Sequence, residues 1–488
     1  MMSSGSKSSG PTIRREIYSA DADKTRKSIS NNQHVIGSCG RALNTTSPGH
    51  HVKRFTLCKK GFFYMPEEMN GGAAEFQTKA LPSIFFVFAG FVLSVTAFLI
   101  GTKVGKSVTL GKGLAALLTG NMILATYAGV IGLIGMKTRR SSTVILRPVF
   151  GLQGQILVSA LITFVNISFV SVYASMIGSQ LAAFFPSLSE YFGLFAFVIV
   201  VGAINLVGFK GLSFLGKIGV PALAAFVVIG LIKIHSNVGF EKLAEAVPVE
   251  PLPWIAVLSF VTASWMTGGT LSSDLTRFAR KPSYVFIVTF GAFLCVTILE
   301  AVGLICSLGA GEGNLVTILS KLGLDSVAIF IYLILGLTSG QAIVYSFSLA
   351  VMNITRVLNK GKESRVLTDK FWIVTGCIIA SVVGVIMTHT GLLFSFLHFV
   401  KMIGVAVPPV GGLIMAHYFI VERNFERPFE NMPAVRFSAF IAWITGVTGA
   451  CYLKFGIAPL NGFFVAIAVY VALCLALNKW KAASVSAP

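Results

Sequence analysis

The sequence predicts an all-α membrane protein with twelve transmembrane helices. Apolar residues make up 55% of the 488 and charged residues only 12%, and the mean hydropathy is +0.80. The apolar residues also gather into runs of about 20, the length a helix needs to cross a hydrocarbon core of ~30 Å. Lipid offers the backbone no hydrogen bonds, so such runs must be helices that satisfy their own amides.

The twelve runs lie near 82–101, 113–135, 152–184, 191–208, 213–234, 252–273, 284–308, 325–355, 370–388, 392–416, 436–455 and 460–477. Several carry Gly, Ser, Thr and Ala at close spacing, which lets helices pack tightly where no hydrophobic force drives them together. Lys and Arg concentrate in the even-numbered gaps. Lys137, Arg139, Arg140 and Arg147 follow the second run, Lys210 the fourth, and Arg277, Arg280 and Lys281 the sixth. Arg356, Lys360, Lys362, Arg365 and Lys370 surround the gap after the eighth, and Arg423, Arg427 and Arg436 that after the tenth. Positive loops stay cytoplasmic, so both termini are expected inside, in a plasma membrane or a bacterial inner membrane. Lys103, Lys106 and Lys112 run against this trend in the first external loop.

The formal charge of +20 is explained by the membrane rule rather than by a nucleic-acid surface, because it is spread along the chain. Residues 1–80 hold 12 Lys+Arg and 6 Asp+Glu and supply only +6 of it. Rich in Ser, Gly, Asn and Thr and without an apolar run, they read as a disordered cytoplasmic tail. Residues 81–478 form the expected membrane domain and 479–488 a short cytoplasmic tail. Glu16, Asp21 and Asp23 argue against a transit peptide. A start at Met65 or Met69, which would leave the tail untranslated, stays open as an alternative. Seven scattered cysteines form no C-x-x-C pair, so neither a metal site nor a disulfide framework is expected. No cofactor is expected. The chain shows no Walker loop, zinc-binding His pair or nucleophile elbow, so ATP-driven pumping and hydrolysis lose support. His398, inside the tenth run, reads as a packed or pore-lining residue.

One internal echo is informative. Val95-Thr96-Ala97 is followed by Gly101-Thr102, and Val261-Thr262-Ala263 by Gly268-Gly269-Thr270. Glycine-interrupted segments at matching places in two halves mark discontinuous helices, whose broken ends present backbone dipoles to solute and ion at the midplane. The alternative is that these glycines serve packing alone.

Longer stretches carry a resemblance. Gly120-Asn121 through Ile134-Gly135-Met136-Lys137-Thr138, then Gly269-Thr270-Leu271 with Asp274-Leu275-Thr276-Arg277-Phe278, then Pro408-Pro409-Val410-Gly411-Gly412 resemble, in order, the cytosine permease branch of the nucleobase:cation symporter family. The likeness spans roughly residues 81–478. It implies a leucine-transporter-type five-plus-five inverted repeat with two additional C-terminal helices. Substrate would sit between helices 1, 3, 6 and 8, and sodium between helices 1 and 8.

The resemblance also assigns residues. Trp265 falls where the family stacks an aromatic on the base, with Ser264 beside it, and stacking holds a flat ring without a formal charge. On helix 3 the second aromatic corresponds to Phe169 and its polar partner to Asn166, three residues apart on one face. Thr338 and Ser339 match the hydroxyl pair used for sodium, with carbonyls from unwound helix 1 around Ala97 and Ile100 completing the shell. The bland alternative is that both hydroxyls bond back to the preceding turn. After them the chain departs from the branch: Gly340-Gln341-Ala342 replaces a run of Asn and Asp, leaving Gln341 to read the ring edge. A buried hydrogen bond left unmade costs about 1–3 kcal/mol, enough to switch preference between related rings.

Glu300 and Lys401 also depart from the family. A charge at helix centre costs about 2.5–3.5 kcal/mol or more, so each needs a partner, water or a task. They are expected to pair with each other, or Glu300 to carry a proton, or Lys401 to occupy a cation site. Pro408, Pro409, Gly411 and Gly412 mark a bend that serves either as a gating hinge or as a packing kink.

The resulting expectation is a symporter for a nucleobase-like heterocycle, driven by a sodium ion or a proton, embedded in the lipid bilayer, with no nucleic-acid partner. Hydantoin, allantoin or a vitamin precursor are alternative solutes. A channel or transceptor is separable by passive flux or by signalling without transport, and an enzyme by product formation.

Overall fold

The computed structural model describes residues 77–486 except 238–242, 244, 311–324, 360–367, 392–395, 423–424 and 426–431. The expected tail therefore lies outside the described residues up to position 76, as do Lys360, Lys362, Arg365, Arg423 and Arg427; the His398 side chain is likewise not described. The described chain is helical apart from one isolated bridge between Lys79 and Ala279.

Helices lie along each of the expected runs. Among the described residues the first and sixth of those runs are broken, and the tenth is interrupted at Val407. The first consists of α1 (Leu81–Val92) and α2 (Val95–Ser107), bent by 53°. Leu93 and Ser94 between them are extended, and the Ser94 hydroxyl caps α2 by accepting from the Ala97 amide. Next come α3 (Leu110–Thr138), α4 (Ser142–Phe150), α5 (Gln155–Phe184), α6 (Glu190–Leu206) and α7 (Phe209–Asn237). The second broken run consists of α8 (Trp254–Ser264), α9 (Met266–Thr270) and α10 (Ser272–Thr276), interrupted at Trp265 and Leu271. The rest are α11 (Pro282–Ala310), α12 (Asp325–Leu358), α13 (Asp369–Thr390), α14 (Phe396–Ala406), α15 (Pro408–Ala416), a π-turn at His417–Val421, α16 (Phe437–Tyr452) and α17 (Ala458–Ser486). α17 thus runs past the expected boundary at 478. Among the described residues seven helical spans are individually long and apolar enough to cross a membrane, or eight with the bent α1–α2 pair, and α6, α8 and α16 are shorter apolar helices.

Glycines set how closely these helices approach. A Cβ on Gly101 would lie 1.9 Å from the Glu300 carbonyl oxygen, one on Gly105 2.6 Å from that of Leu304, and one on Gly303 2.4 Å from that of Phe98. The backbones of α2 and α11 therefore touch along a seam that only glycine permits, the small-residue interface used where lipid supplies no hydrophobic drive.

Arg147, read from the sequence as a loop cation, is instead buried on α4, a short helix that the apolar periodicity did not reveal. Its Nε donates to Asn353 Oδ1 at 2.9 Å, while Asn353 Nδ2 donates to Gln155 Oε1 at 2.8 Å, tying α4 and α5 to α12. Ser142, at the start of α4, donates to Asp274 Oδ1 through its amide and its hydroxyl at 2.7 and 2.8 Å. The Lys79 amide reaches the Phe278 carbonyl at 2.9 Å, anchoring the chain just before α1. At the far end of α2, Lys103 pairs with Glu250 and holds that exposed carboxyl below the usual carboxylate range. The Glu250 and Leu252 amides also bond the Lys106 and Ser107 carbonyls at 2.8 and 3.0 Å.

The proline pair opens α15, where missing amides cost nothing. Gly411 and Gly412 are packing positions: a Cβ on Gly411 would lie 1.8 Å from Tyr127 Oη, and one on Gly412 2.8 Å from the Phe463 carbonyl. Tyr127 Oη shares a 2.6 Å hydrogen bond with Thr270. Tyr127→Phe should lose only that bond, about 1 kcal/mol. Gly411→Ala should cost more, because it forces the ring aside as well, and should lower the melting temperature of the purified protein further than Tyr127→Phe does.

Candidate functional site

Both helix breaks open onto one cavity. Trp265 sits in the second break with φ −120° and ψ 11°, and its indole folds back over α9: a Cβ on Gly268 would lie 2.4 Å from the ring. Across the cavity Phe91, in the last turn of α1, meets the indole edge-on at 5.4 Å. Asn166, Phe169 and Tyr173 project from α5 at helical spacing and line the same space, with Ser264, Thr267 and Ile343. Phe169 lies 6.3 Å from Tyr173 and 5.6 Å from Phe399.

The polar groups here are few and none of the lining side chains is charged. Tyr173 Oη lies 3.2 Å from Thr96 Oγ1, which is 2.7 Å from Ser94 Oγ, so these three satisfy one another. Ser264 Oγ donates to the Val261 carbonyl at 2.7 Å. Asn166 Nδ2 and Thr267 Oγ1 are buried with no partner. Such atoms cost about 1–3 kcal/mol each until something meets them. In this conformation the cavity holds about 20 Å³, room for about one water, so a ring enters only if the lining helices part.

Gln341 does not reach the cavity. Its Nε2 points to the Leu212 carbonyl on α7 at 3.4 Å, and Ile343 takes the lining position on α12. Phe91, Thr96, Tyr173 and Thr267 are lining residues that the sequence reading did not assign. Thr96 lies within the first echoed triplet and Thr267 directly before the glycines that follow the second, a signal that points to both.

A second cluster lies behind the first break. Ser339 Oγ is 2.9 Å from the Leu93 carbonyl, 3.0 Å from that of Phe91 and 3.4 Å from that of Gly90. Thr338 Oγ1 lies 3.5 Å from the Leu93 carbonyl and donates back to Ile334 at 2.8 Å. Because α1 stops at Val92, these carbonyls have lost their helical amides. Three carbonyls converge on the single proton of Ser339, so the cluster has more acceptors than donors, which suits a hard cation. Ala97 and Ile100, expected to supply the carbonyls, lie within regular helix α2; the unwound residues come earlier, at Leu93–Ser94.

Glu300 and Lys401 do not pair. Glu300 is fully buried and accepts from Asn121 Nδ2 at 2.6 Å, whereas Lys401 is exposed on α14. The echoed triplets differ in placement too: Val95-Thr96-Ala97 begins the helix after one break, and Val261-Thr262-Ala263 ends the helix before the other.

Fold and site together define an integral membrane protein with a neutral pocket at two broken helices. Residues 75–447 match the model of a family described as permeases for cytosine/purines, uracil, thiamine, allantoin. The chain belongs to that family of transporters. Over 418 residues it is 26% identical to the cytosine permease of Escherichia coli (strain K12), covering 84% of this chain and 94% of the relative. Among solved structures it is similar to Mhp1, a nucleobase-cation-symport-1 family transporter, in a closed conformation with bromovinylhydantoin bound. That likeness has a TM-score of 0.69 at 15% identity and covers 85% of this chain and 96% of the other. A Na+-coupled sialic acid symporter is similar at a TM-score of 0.63 and 15% identity, covering 81% and 89%. At such identities these structures establish the fold alone.

Proposed function

We propose that the protein is a secondary-active symporter that carries a nucleobase or a related small nitrogen heterocycle by alternating access. The observation that carries this reading is Trp265, seated in a helix break and facing a neutral cavity whose unpartnered polar atoms are Asn166 Nδ2 and Thr267 Oγ1. A planar ring with polar edges offers a π face to the indole and acceptors to those two groups. The cytosine permease relative supports the solute class. Twelve spans with a five-plus-five inverted repeat and cytoplasmic termini complete the reading, supported by helices along each expected run and by the pair of breaks.

Sodium is the coupling ion this geometry favours, held by Ser339 and Thr338 with the Gly90, Phe91 and Leu93 carbonyls. The ion would draw α1 and α12 together beside the cavity, which links its binding to that of the solute. The test is thermal stabilisation of the purified protein by a panel of nucleobases, hydantoin and allantoin, with and without sodium. A ligand that binds the folded state raises the melting temperature by mass action. Stabilisation by a ring, increased by sodium, is the expected result; no shift with any ring refutes the reading. Ser339→Ala should raise the sodium concentration for half-maximal uptake by roughly tenfold or more, since bonds to a charged group are worth about 1.5–3 kcal/mol. Thr338→Ala should do less, because its hydroxyl lies 3.5 Å from the Leu93 carbonyl, against 2.9 Å for that of Ser339, and so stands farther from the cluster.

A further inference from the structure

Glu300 sits on α11 directly behind Gly101, whose missing side chain lets the two backbones touch. Counted along α2, Gly101 is about 10 Å beyond the helix break. Asn121 reaches Glu300 from α3, donating its Nδ2 to Oε2 at 2.6 Å, and both residues are fully buried. The other oxygen of each, Glu300 Oε1 and Asn121 Oδ1, has no donor among the described residues. An ionised carboxylate leaves both of these acceptors unmet, and flipping the amide only exchanges one unmet atom for another. One proton resolves both at once. A carboxylic acid donates from one oxygen and accepts at the other, and a primary amide does the same in reverse.

We propose that Glu300 and Asn121 form a proton-binding site, in which one proton on Glu300 closes a two-bond acid–amide pair and fixes this arrangement of α2, α3 and α11. Among the described residues no charged side chain bonds the Glu300 carboxyl. The helices packed on α11 are α1, α2, α3 and α7. α1 has no titratable side chain; α2 brings Lys103, engaged with Glu250, and Lys106. α3 brings Lys112 and Lys137 near its ends and Tyr127, engaged with Thr270; the described side chains of α7 include Lys210 and Lys217; α11 itself adds Tyr284, Cys295 and Cys306. Among the described residues Asn121 is the group that bonds the Glu300 carboxyl.

The pair lies between the two broken runs. Gly120, next to Asn121, lies against Val261 on α8, where a Cβ would approach Val261 Cγ1 to 2.6 Å. The proton therefore ties the helix following the first break to the helix preceding the second. Losing it leaves a buried carboxylate that must be hydrated, which needs α3 and α11 to separate. Protonation thus selects this conformation over a more open one, a step that rests on the carrier reading above, whereas the proton site itself does not.

The test uses the full-length protein without any solute. The infrared difference between wild type and Glu300→Gln at neutral pH should show one protonated-carboxyl C=O stretch that the variant lacks. Raising the pH from about 6 to about 8.5 should lower the wild-type melting temperature, because the folded state holds a proton that the unfolded state releases. Glu300→Gln keeps both bonds through its own amide, so its melting temperature should stay level over that range. The absence of the band, or parallel melting curves for the two proteins, overturns the proposal. Should Glu300→Gln fail to fold, Asn121→Leu removes the partner and leaves the acid; its band should move to the frequency of an acid without a hydrogen bond, and an unmoved band overturns the proposal. Cytosine uptake measured against pH then separates the two readings. Uptake by wild type alone that varies with pH upholds both, and a band without uptake of any ring overturns the carrier reading only.

Discussion

Trp265→Ala should weaken binding of a planar heterocycle roughly 5- to 150-fold, the equivalent of the ~1–3 kcal/mol that base–aromatic stacking contributes. Isothermal titration of the purified variant with cytosine, or with whichever ring stabilises the wild type most, measures it directly. Trp265→Phe should recover part of the loss, since a smaller face still stacks. An unchanged affinity in Trp265→Ala would show that the indole is a packing residue and would remove the main support for the proposed function. The indole rests on Gly268, so Gly268→Ala should have a comparable effect with Trp265 itself unaltered: its Cβ would fall 2.4 Å from Cε3 and push the indole into the cavity.

Gly101→Ala should be the most damaging single methyl group in the bundle. The added carbon would lie 1.9, 2.7 and 2.8 Å from the carbonyl oxygen, carbonyl carbon and Cα of Glu300, all backbone atoms that no rotamer change can move. Overpacking a well-fitted core costs about 1–3 kcal/mol when side chains can give way, and more here. Expression, monodispersity in size-exclusion chromatography and melting temperature should all fall together. Gly111→Ala is the control, because nothing lies within 4 Å of its Cβ; replacing a helical glycine there should be neutral or stabilise by up to about 1 kcal/mol. Equal stability of the two variants would mean that the α2–α11 seam is looser than described.

The class of the protein was legible because lipid imposes a length and a polarity on every span, and these are properties of local sequence. The broken helices were legible for a related reason: glycines beside polar residues are costly in an apolar run unless something uses them. The position of the first break was less so. The Val95-Thr96-Ala97 echo points past it, whereas the unwinding is set by Ser94, whose extended backbone and capping hydroxyl end one helix and start the next. Ala97 and Ile100 were consequently placed on the wrong side of the break. Gln341 shows a different fault. At 100° per residue it points well away from Ser339, toward α7, while Ile343, four residues on, shares the Ser339 face; helical phase alone would have separated them. The Glu300–Asn121 contact joins residues 179 positions apart, and α4 carries only nine residues with a proline inside. Neither leaves a periodic trace, so both required the packed chain.

Among the described residues the lining of the central cavity carries no ionised side chain. A solute that arrived charged would shed its hydration shell and find only hydroxyls, an amide and ring faces in exchange, a poor substitute in a medium of low polarity. Under the proposed function, selection would therefore act on protonation state as well as on shape, with the uncharged form of a weakly acidic or basic ring the one admitted. Its apparent affinity should scale with the fraction of molecules that are neutral in the surrounding medium, so two rings of the same outline but different acidity would be told apart by the water outside before the protein touches either.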